Sequence, residues 1–238
     1  MKALAPHSAL LDVSTDVWHA NALAPSVLQV IATGDAVLDA QLPGGGWPVG
    51  AMTEVLQSAG LHAEWRLVLS ALARLGQDKV VLVNAPQVPF APSLAAAGLQ
   101  AHRLLWIRSQ SGAESLWSAE QALRCAQVDA VLAWLPQVRT EHLRRLQLAA
   151  TDFNKLLFVV RPLQAQSESS PAVLRVMVTP GPTPSALNVH LLKRRGPPRA
   201  EPLTLSMSAG ALATLLASCH REQASPLSPR HALDRIAA

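Results

Sequence analysis

The chain alternates between short apolar runs and longer amphipathic stretches. Lys79 to Asn84, Arg103 to Arg108, Ala130 to Leu135 and Lys155 to Val160 are near-continuous apolar runs, the pattern of strands buried on both faces. Ser93 to Gly98 reads as a short helix closed by glycine. Ser111 and Glu114 form a capping box that starts a helix running to about Gln127. Thr140 caps a further helix, Glu141 to Thr151. Strands and helices in this order predict βαβ units, hence a mostly parallel sheet with helices on both faces. The pattern changes after Arg161-Pro162. Gln164 to Pro171 is polar and serine-rich and predicts a mobile loop. Val173 to Thr179, Leu187 to Lys193 and Leu203 to Met207 follow with no helices between them, which predicts an antiparallel extension.

Upstream, Asp16 to Leu23 reads as a short helix ended by Pro25, with Trp18 docking on the main domain. Val27 to Ile31 reads as a strand and Thr33-Gly34 as a turn. Downstream, Ala209 to His220 is a helix, and the segment from Ser225 ends in a short amphipathic stretch. Leu233 and Ile236 on that stretch are candidates for partner docking. The division is an N-terminal arm (1–24), a core with its antiparallel extension (25–207), and a C-terminal helix and tail (208–238).

The stretch from Asp39 to Leu69 organises the rest. Gly44, Gly45 and Gly46 make a tight turn, Trp47 and Pro48 follow, and Gly50 opens an apolar strand, Ala51 to Leu56. A small-residue bend, Gln57 to Gly60, leads to a helix from about Ala63. A strand, loop and helix in this order is where a nucleotide-binding protein carries its phosphate cradle. That cradle needs G-x-x-x-x-G-K-[ST], with glycines to expose backbone N–H groups, a lysine for the β/γ oxygens and a hydroxyl for Mg²⁺. Here Gly60 is followed by Leu61 and His62, so the frame lacks the lysine and the hydroxyl.

Half of the 238 residues are hydrophobic and 15% are charged, which excludes a disordered chain. Cys125 and Cys219 lie far apart without a partner motif and read as packed thiols of a reducing compartment. No signal peptide and no membrane span are legible, so the expectation is a soluble cytoplasmic protein. Charge is uneven: residues 1–138 carry seven Lys/Arg against ten Asp/Glu, and residues 139–238 carry thirteen against six. The basic part would face nucleic acid or an acidic protein, or be a solvated surface.

The run from Val30 to Leu56, VIATGDAVLDAQLPGGGWPVGAMTEVL, resembles the opening of a RecA-type core. In that core a T-G-x-x-x-L-D turn precedes a glycine turn, P-x-G and a strand ending at the phosphate loop. The form L-P-G-G-G-W-P-x-G, Leu42 to Gly50, is similar to the ImuA family, SulA-like and RecA-like accessory proteins of bacterial mutagenic-repair cassettes. The resemblance covers roughly residues 25–195. It implies a RecA-like α/β fold and SOS-controlled translesion synthesis. It also implies partnership with an ImuB-like inactive Y-family polymerase and an error-prone DNA polymerase. RecA, single-stranded DNA and a second copy of the chain are further candidate partners. Two alternatives stay open: a SulA-like inhibitor of the tubulin-like division protein, and a modulator that binds DNA or RecA filaments.

Hydrolysis in such a core needs a phosphate-loop lysine, a carboxylate on the Mg²⁺ strand and a carboxylate to activate water. By strand order these positions fall at Gly60 to His62, at Ala133 or Trp134, and at Pro86, and none carries the required group. The expectation is therefore no catalytic residue, no cofactor and no metal. The degenerate loop comprises Gln57, Ser58, Ala59, Gly60, Leu61 and His62. Glu64 is expected in the first helical turn, where the dipole favours a carboxylate, with His62 facing solvent. The helix N-terminus itself could still draw an anion. Trp47 either plugs the core beneath the turn or stands exposed at a protein contact. Trp106 and Trp134 are expected in the core on central strands, while the pattern leaves Trp117 unplaced. Lys193, Arg194, Arg195 and Arg199 form the clearest charge cluster, either a solvated hairpin turn or a contact for DNA or a partner. Engagement of three phosphates would give a salt slope of about −2.

Overall fold

The computed structural model describes residues 29–206. The proposed arm, the C-terminal helix and tail, Cys219, Leu233 and Ile236 lie outside the described residues.

The described chain opens with β1 (Val30–Ile31), which pairs antiparallel with β2 (Trp47–Pro48). Between them, α1 (Ala36–Asp39) is capped by Asp35, whose carboxylate accepts from the N–H groups of Val37 and Leu38. Asp39 in turn accepts from the Thr33 N–H at 2.7 Å, so the T-G-x-x-x-L-D pattern closes on itself. Gly44 and Gly45 have φ of +81° and +83°. At Gly46 a Cβ would lie 2.3 Å from the Ile31 carbonyl oxygen, so the two-strand ladder needs glycine there. Beneath this turn Trp47 is fully buried, edge-to-face on Phe158 with ring centres 5.4 Å apart. Of the two readings of Trp47, the core plug is the correct one.

Eight strands form the main sheet. They are β3 (Ala51–Gln57), β4 (Lys79–Val83), β5 (Leu104–Ile107), β6 (Val128–Trp134), β7 (Leu156–Pro162), β8 (Leu174–Pro180), β9 (Ala186–Lys193) and β10 (Leu203–Ser206). Their order is β10-β9-β8-β3-β7-β6-β4-β5; β8, β3, β7, β6, β4 and β5 are parallel, β9 pairs antiparallel with β8, and β10 pairs antiparallel with β9. The expected class, a mostly parallel α/β sheet with an antiparallel extension, is the observed one. The extension begins one strand later than expected, because β8 runs parallel to β3. A parallel return needs a crossover. Residues 163–173 supply it as a 3-10 turn, Leu163–Ser167, followed by extended chain. The serine-rich stretch expected as a mobile loop is this crossover. It is tied down: Thr140 Oγ1 donates to the Ser169 carbonyl and Lys193 Nζ to that of Ser170.

The helices α2 (Glu64–Arg74) and α3 (Ala91–Ala96) cover one face, and α4 (Gly112–Arg124) and α5 (Thr140–Asp152) cover the other. The sides switch because the chain moves outward from β4 to β5 and then reverses to β6, and parallel crossovers keep one hand. Leu67, Val68 and Leu72 of α2 pack with Trp47 and Phe158. Leu123 of α4 and Leu143 and Leu146 of α5 pack on Val81, Val131 and Val159. At the start of α4, Ser111 Oγ accepts from the Glu114 N–H as expected, while the Glu114 carboxylate accepts from Gln110 rather than from Ser111. Thr140 is not a cap: α5 begins on it, and its hydroxyl is spent on the crossover. Trp134 is buried on β6, but Trp106 lies on β5, the sheet edge, half-buried with the Arg108 guanidinium 5.0 Å from its ring centre.

Candidate functional site

Ligands of parallel α/β sheets bind beyond the C-terminal ends of the strands. In this chain two places lie along that edge. One is the bend after β3, and the other is an open cavity on the α4/α5 face.

The bend is held by its own side chains. Gln57, the last residue of β3, faces the α2 side. Its Oε1 accepts from the Ala63 N–H at 3.0 Å, and its Nε2 donates to Oε2 of Glu64. One of the unpaired N–H groups at the start of α2 is thereby satisfied from within the chain. Glu64 sits in the first turn as expected, but at 2% exposure it is buried rather than a surface cap. His62 adopts φ of +47° and is partly exposed; its Nδ1 lies 3.9 Å from Glu64 Oε1 and its Nε2 3.2 Å from Gln87 Nε2. Gly60 (φ +83°) has open space where a Cβ would stand. Ser58, Ala59 and Leu61 complete the bend and bring no cation to it. The other two expected positions lie on the same edge: Trp134 ends β6 and Pro86 follows β4. Beside them, Asn84 (φ +55°) donates to Ser115 Oγ at 2.7 Å and accepts from the Ser109 N–H at 2.8 Å. This neutral network occupies the end of β4.

The most deeply buried ion cluster lies on strands whose sequence pattern does not mark it as a site. Glu54 on β3 is fully buried and receives Arg161 of β7 at 2.9 Å and Arg175 of β8 on its two oxygens. Glu54, Arg161 and Arg175 share the α5 face by strand parity. Arg161 also reaches Glu168 of the crossover at 2.7 Å, and Arg175 donates to the Ala165 carbonyl at 2.8 Å. Burial pushes the Arg161 guanidinium down. The carboxylates of Glu168 and Glu54 outweigh that and leave it above its ordinary value. The signal was present as three charges, of both signs, inside otherwise apolar strands. Their partnership depends on register between distant segments.

Next to this cluster lies the cavity, of about 720 Å³ and open on one side. It is walled by the start of α4, the turn after β6 and the first half of α5, with the buried Arg161 at its inner end and the half-exposed Glu168 beside it. Trp117, unplaced by the sequence pattern, stands on its wall and is 64% exposed.

The basic turn is less free than its sequence implies. Arg194 donates to the carbonyls of Pro197 and Gln41, and Arg199 donates to the Glu201 carbonyl and the Gln41 side chain. Lys193 is held on Ser170, and Arg195 is also engaged. Arg194 and Arg199 thus anchor the turn to the segment after α1. The described residues contain no cluster of three or more His, Cys, Asp or Glu fit to hold a metal, and no helix long and apolar enough to cross a membrane.

No family model matches the chain. Protein ImuA of Caulobacter vibrioides is 35% identical over 129 residues, covering 50% of this chain and 52% of that protein. The cell division inhibitor SulA of Photorhabdus laumondii is 28% identical over 121 residues, 51% of this chain and 60% of that protein. The cell division inhibitor SulA of Yersinia pestis is 30% identical over 116 residues, 48% of this chain and 69% of that protein. The chain therefore spans about half the length of the ImuA protein and more than two thirds of the Yersinia inhibitor, and on these matches it belongs to the ImuA/SulA-like family.

Proposed function

We propose that the chain is a non-catalytic accessory protein of SOS-induced translesion DNA synthesis, acting through protein contacts. In this reading it is a RecA-type core that has kept its shape and given up its nucleotide. One observation carries it: the start of α2, where a phosphate would sit, is filled by Gln57 and the buried carboxylate of Glu64. A triphosphate arriving there would meet negative charge and no lysine. Its partners in this reading are an ImuB-like polymerase relative and an error-prone DNA polymerase. The likeness to ImuA supports that choice.

Two measurements test the reading. Titration of the full chain with a fluorescent ATP analogue and Mg²⁺ should give no saturable signal; tight binding with turnover would overturn it. A side-by-side pull-down against cassette polymerases, RecA and the division protein should retain the ImuB-like protein.

The match to the Yersinia SulA favours a second reading, inhibition of cell division. Overproduction that filaments undamaged cells, with the division protein retained in the same pull-down, would put this reading first.

A further inference from the structure

We infer that the cavity between α4 and α5 is the docking site for an acidic, apolar segment of a partner protein. This rests on the adaptor reading and gives it a surface. Three features of the cavity carry the inference.

The first is Trp117. Its ring is 64% exposed on the cavity wall, and among the described residues it has no ring or cation contact. Trp106 and Phe153 are covered by Arg108 and Arg124; Phe90 is also exposed, at 68%, but it does not line this cavity. Beside Trp117 the lining is apolar, with Leu116, Val138 and Leu146. An exposed Trp over an apolar floor is the usual make-up of an interface anchor site.

The second is the charge of the rim. Arg139 is 82% exposed, and its one carboxylate, Glu141, is 3.7 Å away and itself 65% exposed. Arg145 is 65% exposed on Glu120, and over the whole lining three arginines, Arg139, Arg145 and Arg161, stand against two carboxylates, Glu120 and Glu168. The lining therefore carries one more cation than carboxylate, a balance that favours an acidic ligand.

The third is the inner end. Arg161 is 1% exposed, and its Nε–H has no acceptor among the described residues. The carboxylate it holds at the cavity, Glu168, is 51% exposed and comes from the crossover. A surface carboxylate on a buried guanidinium is the geometry an acidic side chain of a ligand would adopt. The cavity is open on one side, so a chain segment can enter it along its length. A peptide segment fits, with an apolar side chain against Trp117 and Leu146 and a carboxylate at Arg139.

The test uses the full chain, its Trp117→Ala and Arg139→Glu variants, and Val37→Ala as a distant surface control. All four should show the same urea midpoint, since the altered side chains are exposed. The first readout is retention of the ImuB-like protein. Loss by about tenfold or more in both cavity variants, with the control unchanged, is the expected result. Equal retention by all four would overturn the cavity and leave the adaptor reading standing. If the wild-type chain retains no ImuB-like protein, the adaptor reading fails. The cavity is then judged by a fluorescein-labelled peptide carrying Leu-Phe between aspartates. Binding that falls about tenfold in either cavity variant, and when the aspartates become lysines, supports the inference. Absent binding, or binding indifferent to these changes, overturns it.

Discussion

The bend after β3 and the cavity beside α4 stand on the same edge of the same sheet, yet they are opposites. In the bend, Gln57 serves both Ala63 and Glu64, and little is left over for a ligand. In the cavity, Trp117 is exposed, Arg139 is loosely paired and the Arg161 Nε–H is unspent. The fold class draws attention to the first place, while the more exposed ring and cation are at the second. A helix N-terminus whose N–H group is satisfied by a side chain of its own bend offers less to a ligand than a gap between helices that keeps its rings and cations exposed.

The largest effect should come from the ion cluster that braces the cavity's inner end. Glu54→Leu leaves Arg161 and Arg175 buried without their shared carboxylate, and unfolding free energy in urea should fall by about 3–5 kcal/mol. Replacing all three by apolar residues of similar size should recover most of that loss. If the single variant is as stable as wild type, the cluster is not what holds β3, β7 and β8 in place. Because the carboxylates of Glu168 and Glu54 hold the Arg161 guanidinium above its ordinary value, its contribution to unfolding free energy in urea should be intact through the neutral and mildly alkaline range and be lost only as pH rises through that raised value.

A smaller effect should follow from opening the bend. Gln57→Ala removes the acceptor of the Ala63 N–H and the donor to a buried carboxylate, and stability should drop by about 1–3 kcal/mol. A silent substitution in the same urea series would mean that the bend is open in solution, and the contrast with the cavity would disappear. His62→Ala should do least, lowering the unfolding free energy in urea by no more than about 0.5 kcal/mol, because this partly exposed ring sits 3.9 Å from Glu64. A large loss there would make His62 a structural member of the bend.

Much of the fold was legible in local pattern. The four apolar runs became β4, β5, β6 and β7, and the turn of Gly44 to Gly46 lies where positive φ and the close approach of Ile31 require it. Glycine and capping signals act within a few residues, so sequence displays them directly. The misreadings were of another kind. Trp106 was placed centrally because an edge strand and a central strand read alike until strand order is known. The run from Gln164 to Pro171 looked like free loop because its anchors, Thr140 and Lys193, lie more than twenty residues away on either side. The cations from Lys193 to Arg199 looked available because Gln41, which holds two of them, is remote in the chain.

The sequence by itself settled the order of strands and helices, the glycine turn under which Trp47 is buried, and the absence of a lysine after Gly60. These depend on periodicity and on single residues, which need no neighbour to be read. Only the tertiary structure decided that Glu54 would meet Arg161 and Arg175, that β8 would return parallel to β3, and that Trp117 would face a cavity. Each of those is a pairing between segments distant in sequence, fixed by strand register and helix placement, and a pattern that decays within one element cannot encode it.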